Sequence, residues 1–171
     1  MTENSNKNTR TSSSSEEPLA KKAMIFGIQR LVTGGAPLPQ NKVTSWNIKI
    51  LKSKDNDGHG IFIGVAPSDI DQNEGYMYAK CGWYFYCYSS SLYSGPPQNH
   101  RGKEYGPRKE YGEYVHIGDS VGVVMDITKG ELSFVVDGVN LGVAFDGIPL
   151  DKPLVPCVLL RNNGNSVELI I

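Results

Sequence analysis

The sequence predicts an all-β domain, built as an antiparallel sandwich or barrel. Short segments of alternating apolar and polar residues recur along the chain, separated by turn residues. Nineteen glycines and ten prolines favour a fold rich in turns. No segment carries a helical apolar stripe over ten or more residues. Many short strands between turns are typical of a sandwich or a barrel.

The chain divides into a polar tail and one domain. Residues 1–22 are rich in Ser, Asn and Thr and nearly free of large apolar groups. Such a segment cannot bury enough surface to offset its ordering entropy, so we expect it to be disordered. Residues 23–171 are predicted to form a single β-domain, which is large enough to need no disulfide or metal for stability.

The predicted strands follow one another along residues 23–171. In the segment VTSWNIKIL, alternation places Thr44, Trp46, Ile48 and Ile50 on the core face. A turn leads to the buried strand IFIGVA, and a loop then leads to the aromatic strand GWYFYCYS. The segments DSVGVVMDI, PLVPCVLL and NSVELII complete the series after a long polar connection.

Residues 130–145 predict a β-hairpin. Leu132, Phe134 and Val136 share one face of its first strand. Asp137-Gly138 is a pair that tolerates the positive φ angles of a type I′ turn. Gly142 interrupts the return strand and indicates a bulge or a close backbone approach.

Nine tyrosines lie between Tyr76 and Tyr114. Alternation places Trp83, Phe85 and Cys87 on one face of the aromatic strand and three tyrosines, Tyr84, Tyr86 and Tyr88, on the other. For these three tyrosines we favour packing against another layer. For Tyr76 and Tyr78, in the preceding loop, packing and partner contact are equally consistent with the sequence.

Composition excludes several function classes. The net charge is −1, which provides no electrostatic footprint for nucleic acid or an anionic membrane. The N-terminus lacks the apolar region of a secretory signal, and no apolar run could span a bilayer. Three cysteines fit a reducing compartment. We therefore expect a protein of the cytosol or the nucleus, with Cys87 and Cys157 serving as small core side chains.

No local motif indicates an enzyme or a metal site. An EF-hand needs Gly at the sixth and Glu at the twelfth position of its loop. The acidic loop that begins at Asp69 has Glu74 and Lys80 there, and the one that begins at Asp55 has Ala66 at the twelfth position. Cysteine spacing does not match structural zinc, and no G-x-S-x-G elbow occurs. The glycines of GHGIFIG precede a strand rather than a helix, which argues against a phosphate cradle. We expect a protein without cofactor or catalytic activity.

The ordered motifs resemble the SPRY (B30.2-like) family over residues 43–171. The best match is GDSVGVVMDITKGELSFVVDGVNLGVAFDGI, where Asp137 stands at a position more often occupied by Asn. The segments SWNIKIL, IFIGVAPSDI, CGWYFYCYSSSLYSG and PLVPCVLLRNNGNSVELI are similar to further family segments. Tyr84 and Val155 depart from the usual residue types. The resemblance implies a bent antiparallel β-sandwich of two sheets.

The resemblance also implies a non-enzymatic protein-interaction module, an adaptor or a complex subunit, that binds a peptide or a folded partner through loops. We expect it to be monomeric and to bind neither nucleic acid nor membranes. Tyr78 and Leu38 are the expected anchors, with Arg161 or Asn162 supplying directional hydrogen bonds. The expected binding residues are Gly35, Ala36, Pro37, Leu38, Tyr76, Tyr78, Arg161, Asn162 and Asn163.

Two other functions stay open at this stage. Sandwiches of this general shape also bind sugars, so a lectin-like domain is the alternative, although the calcium pattern is absent. Hydrolysis by a triad without a local signature is the third hypothesis. Fold-level analogy supports each of them only as association.

Overall fold

The computed structural model describes residues 23–24, 30–54, 58–70, 82–94 and 111–170. The predicted tail, residues 1–22, lies outside them. The described residues form eleven strands, which are β1 (Ala23–Met24), β2 (Arg30–Thr33), β3 (Val43–Lys52), β4 (Ile61–Pro67), β5 (Trp83–Tyr86), β6 (Ser91–Ser94), β7 (Ser120–Asp126), β8 (Glu131–Val136), β9 (Val139–Phe145), β10 (Leu154–Leu160) and β11 (Ser166–Ile170). This part of the chain contains no helix that could span a membrane.

The strands form two antiparallel sheets. The six-stranded sheet has the order β1-β11-β3-β7-β8-β9, and the five-stranded sheet has the order β2-β10-β4-β5-β6. β10 therefore lies between β2 and β4, with Cys157 opposite Thr33 on one side and Gly64 on the other. The predicted β-sandwich is confirmed.

The main core lies between the two sheets. Ile48 and Ile50 of β3 are buried in it, and Trp46 packs against it, as the alternation predicts. From the facing sheet, Phe85 reaches Phe134 with ring centroids 5.3 Å apart. Aromatic side chains thus join the two sheets across the core.

A second apolar cluster lies on the opposite face of the five-stranded sheet. Its buried members are Phe62, Ala66, Tyr84, Tyr86, Cys157 and Leu159. On β5, Trp83 and Phe85 belong to the main core, whereas Tyr84 and Tyr86 belong to this second cluster. The period-2 prediction for the aromatic strand is confirmed, and its tyrosine face is a packing face.

The β8–β9 hairpin has the predicted turn and bulge. Val136 pairs with Val139, and the two turn residues, Asp137 and Gly138, have φ values of 45° and 84°. The β8–β9 pairing changes register between Ser133, which lies opposite Val143, and Val135, which lies opposite Asn140, so Gly142 lies within an irregular part of the ladder. At this irregularity the Tyr111 hydroxyl donates to the Gly142 carbonyl and accepts from the Phe134 N–H at 3.2 Å. The hydroxyl therefore replaces a ladder hydrogen bond that the bulge removes.

Tyr111→Phe is expected to lower the free energy of unfolding by about 1–2 kcal/mol, because it leaves the buried Phe134 N–H without its partner. Urea unfolding followed by fluorescence measures the change. Tyr114→Phe is the matched control, because the Tyr114 side chain is exposed. Equal stability of the two variants would contradict the role of the Tyr111 hydroxyl.

Candidate partner-binding surface

One end of the sandwich, the Leu38 end, carries residues 34–42, 67–70, 127–130 and 146–153. After β2 the chain follows the beginning of β10, where the Gly34 N–H donates to the Pro156 carbonyl and the Leu38 N–H to the Leu154 carbonyl, both at 2.7 Å. The Ser68 N–H donates to the Pro153 carbonyl at 2.8 Å. Gly35, Ala36 and Pro37 therefore lie at this end, and all three are exposed.

The opposite end, the His59 end, carries the described residues 53–54, 58–60, 87–90, 111–119, 137–138 and 161–165. β10 finishes with Leu160 opposite Ile61, and the Arg161 N–H then donates to the Gly60 carbonyl at 2.7 Å. Arg161, Asn162 and Asn163 consequently lie at this end.

The structure does not bring the expected binding residues together. Gly35–Pro37 and Arg161–Asn163 are separated by the seven residues of β10, a span of about 20 Å at the usual rise per strand residue. Strand pairing, which places β10 antiparallel to both β2 and β4, causes this separation. The expected loops therefore form two surfaces rather than one.

Three of the expected binding residues, Leu38, Tyr76 and Tyr78, need separate comment. The Leu38 side chain is 5% exposed and packs in the main core, so its interpretation as an exposed anchor is wrong. Its apolar character serves to close the Leu38 end of the core. Tyr76 and Tyr78 lie outside the described residues.

A pocket of about 310 Å³ opens at the His59 end, and its described lining is Lys54, Arg161, Asn162 and Asn163. Asp55 and Asp57, which follow Lys54 in the sequence, lie outside the described residues. The described lining combines two cationic side chains with two amides, so its described charge is positive. The pocket is therefore suited to carboxylates and backbone carbonyls.

Hydrogen bonds fix the two loops that frame this pocket. The buried Asn165 donates from Nδ2 to the His59 carbonyl at 2.9 Å, and its Oδ1 accepts from the Lys54 N–H at 3.1 Å. Asn162 Nδ2 lies 3.3 Å from the same carbonyl and 3.2 Å from His59 Nδ1. The pocket is thus a preformed feature rather than a gap between loose loops.

Asn165→Ala is expected to cost about 1–2 kcal/mol of stability, because the variant loses both bonds of a buried amide. It should also speed amide hydrogen exchange at Lys54, whose N–H loses its acceptor. Asn163→Ala provides the comparison, since Asn163 is exposed. Unchanged exchange at Lys54 in the Asn165 variant would refute this bracing role.

A series of aromatic contacts connects the second cluster with His59, beside the pocket. Tyr86 stacks on Phe62 with centroids 4.2 Å apart, and Tyr88 meets the His59 ring edge-on at 4.9 Å. Burial raises the pKa of the Tyr86 phenol, and the Gly60 N–H and the Arg161 charge oppose that rise. Tyr86 thus lies near enough to Arg161 to sense its charge, and it stays a neutral phenol at physiological pH.

Two exposed tyrosines lie at the His59 end. Tyr88 is 41% exposed and Tyr114 is 63% exposed, and in the described part of the chain they are the two exposed tyrosines. The prediction that Tyr88 packs holds only in part, because Tyr88 lies beyond the end of β5 at Tyr86 and keeps an exposed side chain, although its ring contacts Tyr86 with centroids 5.9 Å apart. Only membership of the tyrosine-rich segment pointed to Tyr114. Exposed tyrosines are frequent anchors of protein interfaces.

The described residues provide no metal cluster and no reactive thiol. No three His, Cys, Asp or Glu side chains among them are placed to share a metal ion. Burial raises the pKa of the Cys87 thiol and raises that of Cys157 to about 12. Both cysteines are buried core side chains, as predicted, and their thiols stay protonated and unreactive.

Comparison with known proteins identifies the family. The SPRY domain model matches residues 43–171. The chain is similar to the crystal structure of the SPRY domain of human HERC1, with a TM-score of 0.66, 20% identity, and coverage of 84% of this chain and 83% of that one. A crystal structure of a human SPRY domain matches with a TM-score of 0.64, 16% identity, and coverage of 87% and 88%.

These two structures support the fold, and a comparison with curated protein sequences finds no significant match. The family model covers three quarters of the chain and includes the motifs of β3, β4, β7, β8 and β9. The chain belongs to the SPRY domain family.

Proposed function

We propose that this chain binds another polypeptide through the His59 end, as an adaptor or as a subunit of a larger assembly. SPRY domains are protein-interaction modules. The observation that carries the proposal is the pocket of about 310 Å³ lined by Lys54, Arg161, Asn162 and Asn163. Its volume suits one or two side chains of a partner rather than a whole folded element.

The chemistry of this pocket favours an acidic or carbonyl-rich segment of the partner. The Arg161 guanidinium can pair with a carboxylate through two parallel hydrogen bonds, which adds directional specificity. The amides of Asn162 and Asn163 suit a partner backbone. Tyr88 and Tyr114 supply apolar contact area beside the pocket at a low entropic cost.

The hydrogen bonds that hold the loops around the pocket add to the expected affinity. Asn165 and Asn162 tie the loops around His59 before any partner arrives. Binding to a preformed site costs less conformational entropy than ordering a loose one. A preformed pocket with exposed aromatic residues beside it therefore favours a defined partner motif over non-specific adhesion.

Arg161→Ala is expected to weaken binding of selected peptides by about tenfold to a hundredfold, the cost of a charge-assisted hydrogen bond. Peptides are first selected from a random-sequence library with the full chain, and affinities are then measured by calorimetry. We expect the selected peptides to be enriched in Asp and Glu. Lys129→Ala is the matched control, because Lys129 is an exposed cation at the Leu38 end.

An equal loss of affinity in both variants would indicate non-specific charge attraction and refute the site. Peptides that bind Arg161→Ala as tightly as the native chain would also refute it. The carbohydrate alternative predicts a different result, namely binding of neutral oligosaccharides on a glycan array without any selected peptide.

A further inference from the structure

We infer that the His59 end holds a second subsite, which accepts a lysine or arginine side chain of the same partner. The inference rests on the proposed function and specifies the partner's chemistry. The subsite is a cavity of about 330 Å³, and its described lining is Ser89, Ser90, Gly112, Glu113, Tyr114 and His116.

The described lining of this cavity is rich in hydrogen-bond acceptors. Glu113 contributes a carboxylate, and the exposed ring of Tyr114 can hold a cation over its face. Behind this lining, Asp119 Oδ2 lies 3.6 Å from His116 Nδ1 and accepts from the His116 N–H at 2.8 Å. The Glu113 carboxylate and the Tyr114 ring both suit a cationic ligand.

Ser90 adds unused hydrogen-bonding capacity to the wall of this cavity. The residue is 3% exposed, and its Oγ has no hydrogen-bond partner in the part of the chain that the structure describes. Its backbone is held in place, because the Ser90 carbonyl accepts from the Tyr111 N–H at 2.7 Å. Buried hydroxyls are normally satisfied, so rotation of the Ser90 side chain toward the cavity would gain a hydrogen bond with a bound ligand.

The two pockets lie on either side of the segment Gly58–His59–Gly60. Gly60 packs against the Asn162 and Arg161 side chains, and Gly58 packs against Cys87 and the Val115 carbonyl. The His59 ring contacts Tyr88, the residue that precedes Ser89 of the second pocket. Two Cα steps span about 7 Å, so one extended peptide can reach both pockets.

The surface therefore combines a pocket with cationic side chains and a second pocket with a carboxylate. The matching ligand is a peptide that carries an acidic and a basic residue about two to four positions apart, given the rise of an extended chain. Opposite charges at fixed separation would set the direction in which the peptide lies as well as its affinity.

A peptide array tests this inference with the full chain. Each peptide places one Glu and one Arg at varied separation in a Gly/Ser background, and parallel sets lack the Glu or the Arg. We expect the peptides with both residues at short separation to bind best. Glu113→Gln combined with Tyr114→Ala should remove the advantage of Arg, a loss of about fivefold to tenfold, and should keep the advantage of Glu.

Arg161→Ala should remove the advantage of Glu and keep the advantage of Arg. Asp151→Asn, which changes an exposed carboxylate at the Leu38 end, should alter neither preference. Preference for Glu without any preference for Arg would overturn the second subsite and leave the proposed function standing. Loss of the Glu preference in the Glu113/Tyr114 variant would also overturn it, since the two pockets would then not act separately. Binding of neutral oligosaccharides instead of any peptide would refute both proposals.

Discussion

Gly64→Ala is expected to remove most of the stability of the domain, at least about 4 kcal/mol. Gly64 lies in the middle of β4, with β10 on one side and β5 on the other. A Cβ at this position would lie 1.8 Å from the Trp83 carbonyl oxygen and 2.9 Å from its carbon. Both atoms belong to the backbone of the neighbouring strand, so no side-chain rotation can relieve the clash. The two strands would have to separate, and the aromatic contacts of β5 would separate with them.

Circular dichroism and urea unfolding measure this effect on the purified 171-residue chain. Gly35→Ala is the matched control, because nothing lies within 4 Å of a Cβ at that position. We expect the control to retain native stability within about 0.5 kcal/mol. If the Gly64→Ala protein unfolded at the same urea midpoint as the unmutated protein, the close approach of β4 and β5 would be contradicted.

Phe85→Ala is expected to lower the free energy of unfolding by about 3–5 kcal/mol, the usual cost of deleting a buried phenylalanine ring. Phe85 is fully buried. The centroid of its ring lies 5.3 Å from that of Phe134, in β8 of the opposite sheet. It lies 6.0 Å from the centroid of Tyr111, beside the β8–β9 bulge. The substitution therefore removes contacts that hold the two sheets together and leaves a cavity between them.

Thermal and urea unfolding of Phe85→Ala should show one transition at lower temperature and lower urea, because the two sheets share one core. Val143→Ala is the control, since Val143 is 51% exposed. Two separate transitions would contradict a single core. A loss of less than about 1 kcal/mol would show that Phe85 does not join the sheets.

Local patterns predicted the strands well, because the side-chain period of a strand is a property of neighbouring residues. Trp83, Tyr84 and Phe85 fall on the faces that alternation predicts, and Asp137-Gly138 forms the predicted turn. The position of Tyr111 could not be predicted in this way. Its hydroxyl fills a gap in the ladder between β8 and β9, a role that depends on a segment distant in sequence.

The binding surface was harder to predict, because the end at which a loop lies depends on strand pairing. β10 carries Arg161 away from Leu38, and only the order β2-β10-β4 reveals this. Asn165 looked like an ordinary loop residue, yet its amide holds two loops together. Tyr114 lies near the end of a polar connection, where no periodicity separates an exposed tyrosine from a buried one.

Site-specific photo-crosslinking tests most directly whether the His59 end is the binding surface. A photoreactive phenylalanine analogue is placed at Asn163 or, in a second protein, at Asp151, two exposed positions at opposite ends of the sandwich. Both labelled chains are irradiated in cell extract, with and without Arg161→Ala. We predict a discrete crosslinked partner from position 163 that Arg161→Ala abolishes, and none from position 151. A partner crosslinked from position 151 alone, at the same level in the Arg161 variant, would contradict binding at the His59 end.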